Sequence, residues 1–76
     1  MVELRLTHPA VAFWVDVRLL ESGGRWLAVA DLGSTPEVAV AHRPDLAVLL
    51  ALWPLGPALA RRMAARADLP RGARDG

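Results

Sequence analysis

Few residues of this 76-residue chain have side chains that perform catalysis, and none is spaced for it. His8 and His42 are the only histidines, and each stands beside a segment typical of a turn or of the end of an element. A nucleophilic hydroxyl needs a neighbouring base, and no hydroxyl residue has one at a suitable spacing. The hydroxyl residues all fall in turn-forming segments: Thr7, Ser22, Ser34 and Thr35. We therefore interpret both histidines as solvated turn residues.

The other chemical groups lead to the same conclusion. The eight carboxylates are scattered, with no pair placed for general acid–base catalysis. The absence of cysteine excludes disulfides and thiolate zinc sites, and no other ligands converge at metal-binding spacing. Gly23 and Gly24 do not precede a helix, so they do not form a phosphate-binding loop. We expect no enzymatic activity, no metal and no cofactor.

Positive charge is concentrated at the C-terminal end. Residues 1–60 hold four arginines and six acids, whereas residues 61–76 hold five arginines and two acids. Arg61, Arg62 and Arg66 are candidates for contact with an acidic protein partner, a nucleic acid or an anionic membrane. The alternative is a solvated helix face that compensates the helix dipole. No aromatic residue follows Trp53, so this end offers no base stacking.

The tryptophans are the second candidate for an interaction site. Trp14 and Trp26 flank the Gly23–Gly24 segment, and the two indoles are expected to share one outer face of a hairpin. Exposed aromatic pairs often mark an interface. The alternative is that helices cover that face and that both indoles are core. Trp53 is expected on the apolar face of a helix, and therefore in the core.

Four segments have the alternation or the β-branched content that is typical of strands. They are residues 2–6, 11–20, 25–32 and 37–42, with turns at 7–10 and 33–36. Paired glycines adopt positive φ without steric cost, so residues 21–24 predict a tight hairpin turn. In the second segment one face is expected to carry Phe13, Val15, Val17 and Leu19.

Two helices are predicted after the strands. Pro44 suits the first helical position, and Asp45 places a carboxylate at the positive end of the dipole. Pro54 ends this helix and Pro57 begins the next. The spacing predicts one apolar face formed by Leu46, Leu49, Leu50 and Trp53, and another by Leu59, Met63 and Ala67.

The expected fold is therefore α+β: a small antiparallel sheet of three to four strands packed by one or two C-terminal helices, in the order β-β-β-β-α-α. Residues 1–68 would form this single domain, and residues 69–76 a flexible tail. A chain this small, without disulfides or a bound metal to stabilise it, gains stability by association, so we expect a homodimer.

The chain contains one long uncharged run, from residue 46 to residue 60. A membrane-spanning helix needs about 20 apolar residues, and prolines interrupt this run, which favours a helical hairpin over a span. An interfacial anchor is the alternative. Charged residues within the first apolar segment argue against a signal peptide, and we expect a cytoplasmic protein. Lys, Asn, Gln, Ile and Tyr are absent as well as Cys, which indicates a GC-rich bacterial genome.

Residues 13–53 resemble the HicB-like antitoxin family. The resemblance rests on the segment from Gly24 to Leu32, with glycine, any residue, an aromatic and then an apolar–small alternation, followed by a turn, a short strand and residues 43–47 (Arg-Pro-Asp-Leu-Ala). The family usually has Pro-Gly after the second strand, where this chain has residues 33–36 (Gly-Ser-Thr-Pro), and often two glutamates at the helix start, where only Asp45 stands. The strand at 2–6 lies outside the pattern.

The resemblance implies a compact antiparallel sheet packed by a helix, a homodimer or higher oligomer, and a small toxin as partner. Many such antitoxins carry a C-terminal DNA-binding domain, for which this chain leaves no room. We expect a non-catalytic module for protein–protein interaction, with Trp14 and Trp26 as anchors and Arg61, Arg62 and Arg66 as a charged rim. A nucleic-acid-binding protein that uses those arginines is the alternative.

Overall fold

The segments with strand periodicity form one four-stranded antiparallel sheet in the computed structural model, which describes residues 1–33 and 35–69. Neighbours along the chain are neighbours in the sheet, so the strands form a meander. The bounds are β1, Val2–Leu6; β2, Val15–Ser22; β3, Arg25–Asp31; and β4, Pro36–Ala41. The predicted α+β class and the element order are confirmed.

The second strand is shorter at its start than the sequence predicts. Residues 11–14 are irregular, and β2 begins at Val15, where pairing with Leu6 of β1 begins. Phe13 is therefore 46% exposed and does not join Val15, Val17 and Leu19, which are buried. The turn predicted at 7–10 is present, and it is closed by the Val11 N–H donating to the His8 carbonyl oxygen at 3.1 Å.

The β2–β3 turn forms as predicted. Gly23 and Gly24 have φ of 59° and 78°, so both central residues are in the left-handed region that a two-residue hairpin of the right twist requires. Ser22 and Arg25 then stand opposite each other, and this register places Leu19 opposite Ala28 and Glu21 opposite Trp26.

Two short helices cover one face of the sheet. α1 (Pro44–Leu52) packs against β3 and β4, and α2 (Pro57–Ala65) packs against α1. A 3-10 turn at Trp53–Leu55 joins them. Pro44 and Pro57 each lie at the start of a helix, as predicted. We call the side that the helices cover the covered face, and the other side the open face.

The phase predicted for α1 is wrong. The buried residues of this helix are Pro44, Ala47, Val48, Ala51 and Leu52. Leu46 and Leu49 are half-buried, whereas Leu50 and Trp53 are 44% and 39% exposed, so Trp53 is not a core residue. Because this helix is apolar on nearly every side, its sequence does not fix which side packs inward.

In α2 the predicted apolar face is present in part: Met63 is buried and Leu59 is half-buried, whereas Ala67 is half-buried beyond the end of the helix. Ala60 is buried as well, and the arginines are exposed. Of the tail predicted for 69–76, Leu69 is half-buried and packs against the core, and residues 70–76 lie outside the described residues. Within the described part of the chain, no helix is long and apolar enough to cross a membrane.

Candidate interaction surface

Within residues 1–33 and 35–69, no helix packs on the open face of the sheet. Strand register arranges its side chains in rows that run across the sheet, because directly paired residues point to the same side. One row, next to the Ser22–Arg25 pair that closes the hairpin turn, runs through Leu20, Leu27 and Val40. The next runs through Glu3, Arg18, Val29 and Val38. The third carries Arg5 and Asp16.

These rows divide the open face into an apolar part and a charged part. We define the apolar patch as Leu20, Leu27, Val29, Val38 and Val40. Val38 is 60% exposed and Val40 51%, while Leu27 and Val29 are half-buried by their neighbours. Met1 lies beside this patch and helps to line a shallow groove of about 180 Å³ over Leu20 and Leu27.

Side-chain size is distributed between the two faces in an unusual way. On β3 and β4 the alanines Ala28, Ala30, Ala39 and Ala41 lie on the covered face. Apart from Trp26, the larger apolar residues of the same strands lie on the open face, where an antiparallel sheet that faces water normally carries polar residues. Six of the fourteen buried core residues are alanine. The bulk of the apolar side chains of these two strands is therefore not used by the core of the single chain.

The charged part of the open face is organised around one ion pair. The Arg5 Nε donates to Asp16 Oδ1 at 2.9 Å and its Nη2 to Asp16 Oδ2 at 3.3 Å. The Arg5 guanidinium also lies over the Trp14 ring, 4.6 Å from its centroid. The hydrogen bond from Arg5 lowers the pKa of Asp16, and the same bond raises the pKa of Arg5. Trp14 is 56% exposed at this end of the face.

Trp26 does not join Trp14, so the prediction that both indoles share an outer face is wrong. Trp26 is 6% exposed on the covered face, where it stands opposite Ala41. The alternative of two core indoles is also wrong, since Trp14 is exposed. Trp14 precedes β2 and its ring contacts Arg5 on the open face, whereas the register of β3 turns Trp26 toward the helices. Trp26 is therefore not available as a surface anchor.

The predicted arginine rim lies on the helical side of the molecule. Arg61, Arg62 and Arg66 are all exposed, and no carboxylate within residues 1–33 and 35–69 forms an ion pair with them. The Arg61 guanidinium lies 5.3 Å from the centroid of the Trp53 ring. Arg66, in contrast, lines a shallow groove together with Arg5, so it lies near the charged end of the open face.

The histidines and carboxylates of the described residues do not converge on a metal site. These residues contain no group of three or more His, Asp or Glu side chains that could hold a metal ion. The His8 Nδ1 accepts the Ala10 N–H at 3.1 Å within its turn, and His42 is exposed after β4.

Sequence reasoning missed the apolar patch as a site, because it did not join the segments 25–32 and 37–42 across the sheet. The signal was present in the alternation of alanine with larger residues from Trp26 to Ala41. Comparisons with protein-family models, with curated proteins and with solved structures found no match to this chain.

Proposed function

We propose that this protein is a small non-catalytic binding module of the cytoplasm that acts through protein–protein contact at its open face. One observation carries the proposal: β3 and β4 direct alanines toward the helices and direct Leu27, Val29, Val38 and Val40 outward. A contiguous apolar patch with a polar border is typical of a protein interface.

The chemistry of the open face favours a protein over the other classes of partner. Besides the apolar patch, the face carries Glu3, Arg5, Asp16 and Arg18, and Arg5 already pairs with Asp16. Nucleic acids and anionic membranes require a positive field, which this mixture of charges does not create. An apolar partner surface would instead remove the exposed leucine and valine side chains from water, which is favourable in proportion to the area buried.

The resemblance to HicB-like antitoxins extends this proposal to the identity of a partner class. Its residues, 13–53, span β2, β3, β4 and α1, and β1 adds a fourth strand at the edge beside β2. On this proposal the module is antitoxin-like and oligomeric, and a small toxin protein binds to a surface of the assembled form.

The experiment that tests the use of the open face is site-specific photo-crosslinking in the cells that produce the protein. A photoreactive residue at position 38 is compared with one at position 58, because Ala58 is exposed on α2, on the helical side. We expect protein adducts from position 38 and few from position 58. If position 38 yields no protein adduct while position 58 does, the open face is not the interaction site.

A second candidate function is nucleic-acid binding. It is favoured by three exposed arginines, Arg61 and Arg62 in α2 and Arg66 directly after it. Binding through Arg62 and Arg66 would weaken steeply with salt, because each neutralised phosphate releases counterions. The double variant Arg62→Gln, Arg66→Gln should then lose binding to a DNA duplex. The matched control is Arg18→Gln, Arg25→Gln, which changes the net charge equally on the sheet. Equal loss in both double variants, or no binding by the parent chain, would contradict this candidate.

A further inference from the structure

We infer that the occupant of the open face is a second copy of this chain, so that two sheets pack face to face with their helices outside. This inference rests on the proposed function, since it names the partner for the same surface. In the resulting dimer the apolar patches of two copies form a second core between the sheets, which in such packings lie about 10 Å apart.

The size of the apolar patch matches what a stable pair requires. From the exposed fractions of its members together with Met1, the patch offers about 450 Å² of apolar surface per copy, within the range of the largest patches on monomeric proteins. Two such patches amount to about 900 Å². About 65% of a homodimer interface is apolar, so this apolar area corresponds to a total buried area of about 1,400 Å², which is a standard interface size.

The charges around the patch are compatible with an identical partner. Glu3 and Arg18 stand opposite each other in register, and Arg5 is paired with Asp16. A face with both signs in near-equal number does not repel its own copy, as a face of one sign would. The charged part can form the polar rim of the interface, with Trp14 at its border, while the apolar patch forms the centre.

The need for a second core follows from the composition of the first. A chain of this length buries a smaller fraction of its surface than a larger domain does, and alanines fill six of the fourteen core positions among its described residues. Strand addition at the free edge of β4 would leave Leu20, Leu27 and Val29 uncovered, because edge pairing covers the backbone of the edge rather than the face. Face-to-face packing covers all five patch residues at once.

Two leucines with equal exposure provide a matched test. Leu20 is 43% exposed on the open face and Leu50 is 44% exposed on α1, on the other side of the molecule. We compare Leu20→Glu with Leu50→Glu, using light scattering after size exclusion across a dilution series, and we verify by circular dichroism that both variants fold. Val38→Glu serves as a second open-face variant if Leu20→Glu does not fold.

The expected result is a parent chain with the mass of two copies, whose association is not weakened by salt. Leu20→Glu should raise the dimer dissociation constant at least about 100-fold, since each buried carboxylate would be unpaired in an apolar interface. Leu50→Glu should leave the constant within a few-fold of the parent value. A monomeric parent chain, equal effects of the two variants, or dissociation by Leu50→Glu alone would each overturn the inference.

The failure of this inference can be distinguished from that of the proposed function. If the purified chain is monomeric while position 38 crosslinks to a different protein in cells, the open face is an interface and its occupant is foreign. If position 38 crosslinks to nothing and the chain is monomeric, both fail.

Discussion

The two faces of the sheet differ in a way that their shared strands do not require. On the covered face, Trp26 and the alanines of β3 and β4 belong to the same core as the buried residues of α1. The open face of the same strands carries leucine and valine, with exposures up to 60% at Val38. The covered face therefore forms the core of the single chain. The apolar patch on the open face has the composition of a core but no covering layer. The contrast indicates that the fold of the single chain uses only part of the apolar surface that its sequence encodes.

The largest expected change in unfolding free energy comes from a comparison of Trp26 with Trp14. Trp26→Ala should cost about 3–5 kcal/mol of unfolding free energy, because it removes an indole that is 6% exposed from the covered face. Trp14→Ala should cost under about 1 kcal/mol, because that ring is 56% exposed. Urea denaturation followed by circular dichroism measures both values.

A milder substitution at Trp26 keeps this comparison measurable. A domain of this size has only about 3–5 kcal/mol of stability from its core, so the loss in Trp26→Ala equals most of that stability and leaves little folded chain to measure. Trp26→Phe keeps an aromatic ring in the site and should fold with a smaller loss. A greater loss in Trp14→Ala than in either Trp26 variant would contradict the assignment of the two faces.

Adjacent leucines give the next largest difference. Leu19 is fully buried on the covered face, and Leu19→Ala should cost about 2–5 kcal/mol. Leu20 lies on the open face, and Leu20→Ala should change the stability of the monomer by about 0.5 kcal/mol or less. Thermal unfolding over a range of chain concentrations measures both, and in the dimer only Leu20→Ala should flatten the rise of the midpoint with concentration. Equal losses from the two changes would show that the faces are energetically alike.

The hairpin turn that sets this alternation has an intermediate effect. Gly24 has a φ of 78°, and Gly24→Ala should cost about 1–2 kcal/mol, because an L side chain strains this conformation. No neighbouring atom lies within 4 Å of the added Cβ, so the cost comes from the backbone and not from a clash. Gly23→Asn is the control, since asparagine tolerates this turn position. Chemical denaturation should rank the control above Gly24→Ala, and the reverse ranking would contradict the turn assignment.

Much of this architecture could be predicted from the sequence, and so could the separation of the two tryptophans. The glycine pair predicts a two-residue turn, which places Ser22 opposite Arg25. With the second strand predicted over residues 11–20, that register places Trp14 and Trp26 on opposite sides of the sheet. The alternation of β1, β3 and β4 and the prolines at the helix starts were also sufficient to predict those elements.

The choice of the covered face could not be predicted, because both sides of β3 and both sides of α1 are apolar. Leucines at 46, 49 and 50 and Trp53 satisfy the helical spacing for burial, yet Ala47, Val48 and Ala51 pack inward. Alanine on the helix against alanine on the sheet permits the closest approach of the two elements, and this depends on tertiary packing. The apolar patch followed from the same choice, since it consists of what the helices leave uncovered.

The smallest effect concerns the charged end of the open face. Because the Arg5 hydrogen bond lowers the pKa of Asp16 in the folded chain, this carboxylate contributes stability above its unfolded pKa of about 3.9. That contribution is lost as the pH falls through the lower folded value. Asp16→Asn should therefore reduce stability slightly near pH 7 and leave less to lose in acid, as measured by urea midpoints from pH 7 down to about pH 2.

Both members of this pair are largely exposed, with 60% and 46% of their side chains accessible, so salt should reduce the difference between Asp16→Asn and the parent chain. Arg5→Gln removes the same hydrogen bonds and should reproduce the change in acid response, and the double variant should add little to either single one. Parallel acid titrations of the parent and Asp16→Asn would show that the pair does not couple folding to pH. Because the pair lies at the polar rim and outside the apolar patch, its loss should leave the dimer largely intact, whereas Leu20→Glu dissociates it.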